Sequence, residues 1–177
     1  MNICVFCGSG VGNNTIYADA ARELGELLAF EGHTLVYGGG NIGLMGIVAD
    51  AVLEKKGHVI GIIPDFLMKK EVGHTGLTQL EIVSSMHERK RRMADLADAF
   101  LVLPGGWGTL DETAEILTWK QLGLIQKPIA FLNVDGFYDS LLIQMNSMVR
   151  TGFLKDTNME FVRVAETPEQ VLSLLRP

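Results

Sequence analysis

Ala99-Phe100-Leu101-Val102-Leu103-Pro104-Gly105-Gly106-Trp107-Gly108-Thr109-Leu110-Asp111-Glu112 passes from an unbroken apolar run, through a glycine turn, into residues that open a helix. A short apolar run bounded by Pro and Gly reads as a strand buried on both faces. Glycine lets a backbone come close to an anion, and the first N–H groups of a helix point at it with the positive end of the dipole behind them. The stretch therefore predicts a strand, an anion seat and a helix, with a carboxylate, Glu112, beside the seat.

The same alternation extends in both directions. Strands are expected at Asn2–Cys7, Thr34–Tyr37, His58–Ile63, Glu81–Ser84, Ala99–Leu103, Pro128–Leu132 and Glu160–Val164. Helices are expected at Thr15–Glu31, Leu44–Lys56, Met86–Ala97, Thr109–Leu122, Tyr138–Val149 and Pro168–Leu175. The stretch Asp65–Thr78 reads as irregular. Apolar strands separated by helices imply an α/β fold, a doubly wound, Rossmann-like parallel sheet with helices on both faces. All 177 residues fit one nucleotide-binding domain. Ligands in such folds sit at the carboxyl ends of the strands. Three glycine clusters fall there, at Gly8–Gly12, Gly38–Gly43 and Gly105–Gly108.

Composition narrows the class. Hydrophobic content of 47% with 20% charged residues indicates a soluble globular protein, and a net charge of −6 argues against a general nucleic-acid binder. No apolar window is long enough to span a membrane, and the N-terminus lacks signal-peptide character, so a cytoplasmic location is expected. Cys4 and Cys7 have CxxC spacing, but inside a strand residues three apart face opposite ways, which disfavours redox or metal chemistry. His33, His58, His74 and His87 show no ligand spacing, so no metal site is expected.

Each motif carries a plain reading beside the functional one. Gly38–Gly43 matches GxGxxG, the dinucleotide fingerprint, but no acid closes the following strand. Close backbone packing, or a mononucleotide contact through Gly39 and Gly40, fits better. Gly8 and Ser9 form either a flexible turn or a ligand loop. In the basic run Met86–Met93, Met86, Met93 and Ala97 share one helix face and Arg89 and Lys90 flank it. A cation beside a buried stripe needs an anionic partner, and the planar fork of Arg89 suits phosphate or carboxylate. Thr109-Leu110-Asp111-Glu112 also fits a capping box, in which Glu112 would merely close the helix start. Glu115 and Thr118 continue the line of Glu112 by helical spacing.

With those residues in view, the chain resembles the Lonely guy family of cytokinin riboside 5′-monophosphate phosphoribohydrolases. The pattern PGGxGTxxE is met by Pro104–Glu112, a Met-His-x-Arg-Lys helix start by Met86–Lys90, and GGGxxGLMG by Gly38–Gly46. The resemblance runs almost from end to end. It implies hydrolysis of the N-glycosidic bond of a purine nucleoside 5′-monophosphate, AMP or N6-modified AMP, to free base and ribose 5-phosphate. It places Arg89 and Glu112 at the catalytic positions. Gly106, Trp107, Gly108, Thr109, Leu110 and Asp111 match the phosphate and ribose loop, and Glu71, Lys90 and Thr118 match further substrate contacts. It also implies a homodimer with the site close to the interface. Trp107 stands where Tyr is common. Relatives have been labelled lysine decarboxylases, but no Schiff-base lysine can be assigned here.

A carboxylate next to the sugar can stabilise the charge that builds as a ribosyl C–N bond breaks, and can orient water. The expected arrangement puts Glu112 in that role with Glu115 in support, the 5′-phosphate on the Gly105–Thr109 turn, and Arg89 holding the ligand or helping the base depart. No cofactor is required by that chemistry. The rival readings are a dinucleotide oxidoreductase and a non-catalytic nucleotide carrier or sensor.

Overall fold

The computed structural model describes residues 1–68 and 72–176. Seven strands form one parallel sheet: β1 (Asn2–Phe6), β2 (Thr34–Tyr37), β3 (His58–Pro64), β4 (Gln79–Val83), β5 (Ala99–Val102), β6 (Ile129–Leu132) and β7 (Arg163–Ala165). Their order is β4-β3-β2-β1-β5-β6-β7, every neighbouring pair being parallel. The helices are α1 (Thr15–Phe30), α2 (Gly43–Glu54), α3 (Met86–Leu96), α4 (Trp107–Gln121), α5 (Asp139–Arg150) and α6 (Pro168–Leu175). The sheet grows outward from β1 in one direction and from β5 in the other. The crevice between these two strands is the topological switch point.

Strand alternation divides the core in two. Ile3, Val5 and Cys7 point into a cluster with Leu24, Val48 and Leu172 of α1, α2 and α6. Cys4 and Phe6 point into another with Met93, Ile116 and Met145 of α3, α4 and α5. Both faces of the sheet are thus covered, which is why its strands are apolar throughout. Cys4 and Cys7 lie in different layers, as the period of two requires, and are not joined in a disulfide.

Local rules moved several boundaries. β3 continues through Pro64, which is in register with Val83: proline lacks a donor, but at a strand's last residue its carbonyl still serves. The last strand begins at Arg163, because Asp156–Phe161 coil into a 3-10 turn. Within the stretch expected to be irregular, Asp65–Leu67 make one 3-10 turn. Lys69, Lys70 and Glu71, the last an expected substrate contact, lie outside the described residues.

The Gly38–Gly43 run proves to be a packing element. Gly39 accepts from His74 N–H at 2.9 Å, Asn41 N–H donates to Val72 at 3.0 Å, and Gly40 bridges Gly73. Gly43 has φ +63°, and a side chain there would overlap the backbone of Ser9 and Gly10. That close approach lets Leu44 N–H bond the Gly8 carbonyl at 3.0 Å, so the start of α2 braces the loop after β1.

Candidate active site

The three glycine turns meet at the carboxyl edge of β2, β1 and β5. Gly8 N–H donates to the Pro104 carbonyl at 3.0 Å, which closes the loops after β1 and β5 onto each other. α4 starts at Trp107, two residues earlier than expected, with Gly106 as its N-cap. Thr109 is therefore not a cap, and the capping box does not form. Thr109 is buried, and its carbonyl accepts from the Thr113 hydroxyl at 2.6 Å. The first helical bond is Leu110 N–H to Gly106 O. The N–H groups of Trp107, Gly108 and Thr109 thus precede the ladder at a helix end with no side-chain cap and no acid in its first turn. An uncompensated positive end of this kind favours an anion. Six residues into α4, Glu112 is relieved of the capping role and lines the pocket that this helix end faces.

A capping box of a looser kind occurs instead at α3. The Ser85 hydroxyl caps Glu88 N–H at 3.2 Å, and Glu88 reaches back to Ser84 N–H at 2.8 Å. Hydrogen bonds from the Ser84 hydroxyl, at 2.7 Å, and from the Ser84 N–H hold the Glu88 carboxyl below its usual range. One residue on, Arg89 is buried, as the apolar stripe predicted, and its Nη2 donates to the Gly38 carbonyl at 2.8 Å. A side chain on Gly38 would overlap this guanidinium, so the end of β2 must be glycine for Arg89 to enter.

The pocket encloses about 130 Å³ between Val5, Cys7, Gly38, Met45, Arg89 and Glu112, with Gly8, Ser9, Gly106, Trp107, Gly108 and Thr109 at its rim. Arg89 and Glu112 are therefore brought together from two helices. Trp107 stands at the mouth with its indole 88% exposed. Burial pushes the Cys4 thiol well up, and the charge of Glu112 adds to this, so Cys4 stays protonated beneath the site.

Other expected contacts fall elsewhere. Lys90 bonds Asp111 at 3.0 Å and Glu115 at 3.2 Å, and none of the three lines the pocket. Burial pushes the Lys90 ammonium down, but the hydrogen bonds it donates to the two carboxylates outweigh this and hold its pKa above the usual value. Leu110 and Thr118 line a separate apolar groove between α4 and α5 with Leu117, Met145 and Met148. Gly105 faces a neighbouring depression edged by Tyr17 and Phe137. Gly39 and Gly40 pack behind the pocket, against the segment after the undescribed residues. The sequence reading passed over Val5, Cys7 and Met45 as lining residues, because alternation shows which face a residue takes but not which strand end borders a cavity.

Residues 45–175 match the protein family described as "Possible lysine decarboxylase". The cytokinin riboside 5′-monophosphate phosphoribohydrolase LOG of Oryza sativa subsp. japonica is 49% identical over 170 residues, covering 96% of this chain and 70% of the rice protein. The Arabidopsis thaliana enzyme LOG2, of the same name, is 47% identical over 173 residues, covering 98% and 81%. The chain belongs to the Lonely guy family. Its fold is shared more widely: the molybdenum cofactor binding protein of Rippkaea orientalis superimposes with a TM-score of 0.72 at 23% identity, covering 98% of this chain and 93% of that one, a likeness of fold alone. Within this Lonely guy chain, no lysine lines the pocket among the described residues, which leaves the decarboxylase description without a Schiff-base candidate there. Nor do the described residues hold a group of His, Cys, Asp and Glu fit for a metal ion, or a helix long and apolar enough to cross a membrane.

Proposed function

We propose that this chain is a cytoplasmic, homodimeric hydrolase of the N-glycosidic bond in cytokinin riboside 5′-monophosphates, AMP or both, releasing free base and ribose 5-phosphate. The observation that carries the reading is the meeting of Arg89, Glu112 and the uncapped start of α4 in one pocket. An anion seat fixes the 5′-phosphate on the N–H groups of Trp107, Gly108 and Thr109, with Gly8 and Ser9 opposite. The sugar then lies over the carboxylate of Glu112, which stabilises the positive charge of the breaking ribosyl C–N bond and orients the attacking water. Arg89, held by the Gly38 carbonyl, borders the pocket with a guanidinium suited to an anionic ligand. Glu71 remains a proposed substrate contact on the resemblance alone.

The test is to incubate the pure protein with AMP and with isopentenyl-AMP and to measure free base and ribose 5-phosphate. Both products should appear from at least one nucleotide. Glu112→Gln should keep the fold, judged by circular dichroism, and lose about 10²-fold or more in turnover, the range of a lost general base. Nucleotide binding without base release would identify a carrier in place of a hydrolase. Unchanged turnover in the variant would remove Glu112 from the chemistry.

A further inference from the structure

Leu103, the residue after β5, leaves its ladder with β1 half made. Its N–H donates to the Phe6 carbonyl at 2.9 Å. In a regular parallel ladder its own carbonyl would then accept from Gly8, two residues further along the neighbouring chain. Gly8 N–H donates instead to the Pro104 carbonyl, one residue beyond, at 3.0 Å. The Leu103 carbonyl accepts from the Tyr138 hydroxyl at 2.6 Å. A built turn delivers that hydroxyl. Asn133 Oδ1 accepts from Tyr138 N–H at 2.7 Å, Asn133 Nδ2 donates to Asp139 Oδ1 at 2.8 Å, and Asp135 takes a left-handed φ of 52°. The Tyr138 ring is buried edge-on against Phe131 and Phe137, whose centroids lie 5.3 and 4.9 Å away. Burial pushes the Tyr138 hydroxyl up, so it stays protonated and donates.

This slipped bond shapes the anion seat. Gly8 and Ser9 form one side of the pocket rim and Gly106–Thr109 another, and the two loops are tied at Gly8 and Pro104. We propose that Tyr138 is a positioning residue: by holding the Leu103 carbonyl out of the ladder, it keeps Gly8 paired with Pro104 and the seat open to its ligand. It acts from below the loop, since it does not itself line the pocket. Without the hydroxyl, Gly8 N–H can pass to the Leu103 carbonyl, resume the ladder and draw the two rims out of register. Ligand then binds only the fraction of molecules in the seat-forming arrangement, and its apparent dissociation constant rises by the inverse of that fraction. One net hydrogen bond biases such an equilibrium by up to about tenfold. The proposal rests on the hydrolase reading given above, in which the seat holds a sugar phosphate.

The experiment is calorimetric titration with ribose 5-phosphate and steady-state release of base from AMP and isopentenyl-AMP. It compares the full chain with Tyr138→Phe, Asn133→Ala and Val171→Ala, each with its melting temperature. Tyr138→Phe keeps the ring and removes only the hydroxyl. It should weaken ribose 5-phosphate binding about tenfold and raise KM by about the same factor. Its kcat should stay within about threefold, because saturating ligand restores the competent arrangement. Asn133→Ala loosens the turn but keeps the hydroxyl; it should give a smaller change of the same kind, and it carries the test if Tyr138→Phe does not fold. Val171→Ala truncates the core at α6 and should lower the melting temperature with binding unchanged. A lower melting temperature for Tyr138→Phe with unchanged binding and KM would mark a purely structural bond and overturn the proposal. So would a fall in kcat at unchanged KM, or binding that weakens as much in Val171→Ala. Failure of the unaltered chain to bind ribose 5-phosphate would overturn it as well. Absence of base release by the unaltered chain would fell the hydrolase reading and leave the binding comparison to judge Tyr138. Release and binding by the unaltered chain that Tyr138→Phe matches would fell only the role of Tyr138.

Discussion

A methyl group on Gly38 would overlap the Arg89 guanidinium, whose Nη2 donates to the Gly38 carbonyl at 2.8 Å. Position 38 therefore acts through Arg89. Gly38→Ala should cost roughly 1–3 kcal/mol of stability through overpacking. The displaced fork should lower kcat/KM by at least about tenfold, an orientation effect. Chemical denaturation and steady-state kinetics on one preparation check both. Full activity would show that Arg89 acts in another rotamer. The residue scale also explains why Glu112 was ambiguous in the sequence. Thr109 and Glu112 have capping-box spacing, and only the observed start of α4 at Trp107 releases the carboxylate from that duty.

Helix α3 joins the parts of the molecule that make the site. Its basic run reads as a solvated patch, yet each cation has its own partner. Arg89 reaches β2, Lys90 reaches α4, Arg91 bonds Asp95 and lies over Trp119, and Arg92 grips Glu81 of β4 at 2.7 and 3.1 Å. The run is thus neutralised within the chain and offers no free basic stripe to nucleic acid. The Arg92 hydrogen bonds hold the Glu81 carboxyl below its usual range. A group with a depressed folded pKa stabilises above its unfolded value, about 4.3 for Glu, and loses that contribution as pH falls through the folded value. Arg92→Gln should therefore be less stable than the parent at neutral pH by at most about 1 kcal/mol, since the pair is partly exposed. The difference should shrink at an acid pH below about 4.3. Urea titrations at both values measure it, and an equal difference at both would remove Glu81 as the cause.

At the scale of the whole molecule, strand order decides where chemistry can happen. β1 and β5 are neighbours although three strands and three α-helices intervene, and their loops close on each other through Gly8 and Pro104. The apolar groove between α4 and α5, about 410 Å³, is separate from that pocket. An apolar surface of this kind marks an interaction face, and the proposed homodimer would bury it. Sedimentation equilibrium should give twice the chain mass. Met148→Asp, at the groove's edge, should shift the species toward monomer; an unshifted dimer would place the interface on another face.

Which parts were legible follows from the range of the forces involved. Apolar runs such as Ala99–Leu103 and helical stripes such as Met86–Met93–Ala97 are local, so the parallel α/β fold and the burial of Arg89 could be read directly. The turn Pro104–Gly108 announced an anion seat by glycine content alone. The sequence by itself thus determined the alternation of strand and helix and the parallel α/β architecture that follows from it. Only the tertiary structure decided that α4 begins at Trp107, that Gly38 makes room for Arg89, and that Lys90 turns to Asp111 and Glu115. Periodicity states which face of an element a side chain occupies, but a carboxylate or cation chooses its partner only when distant segments are packed together.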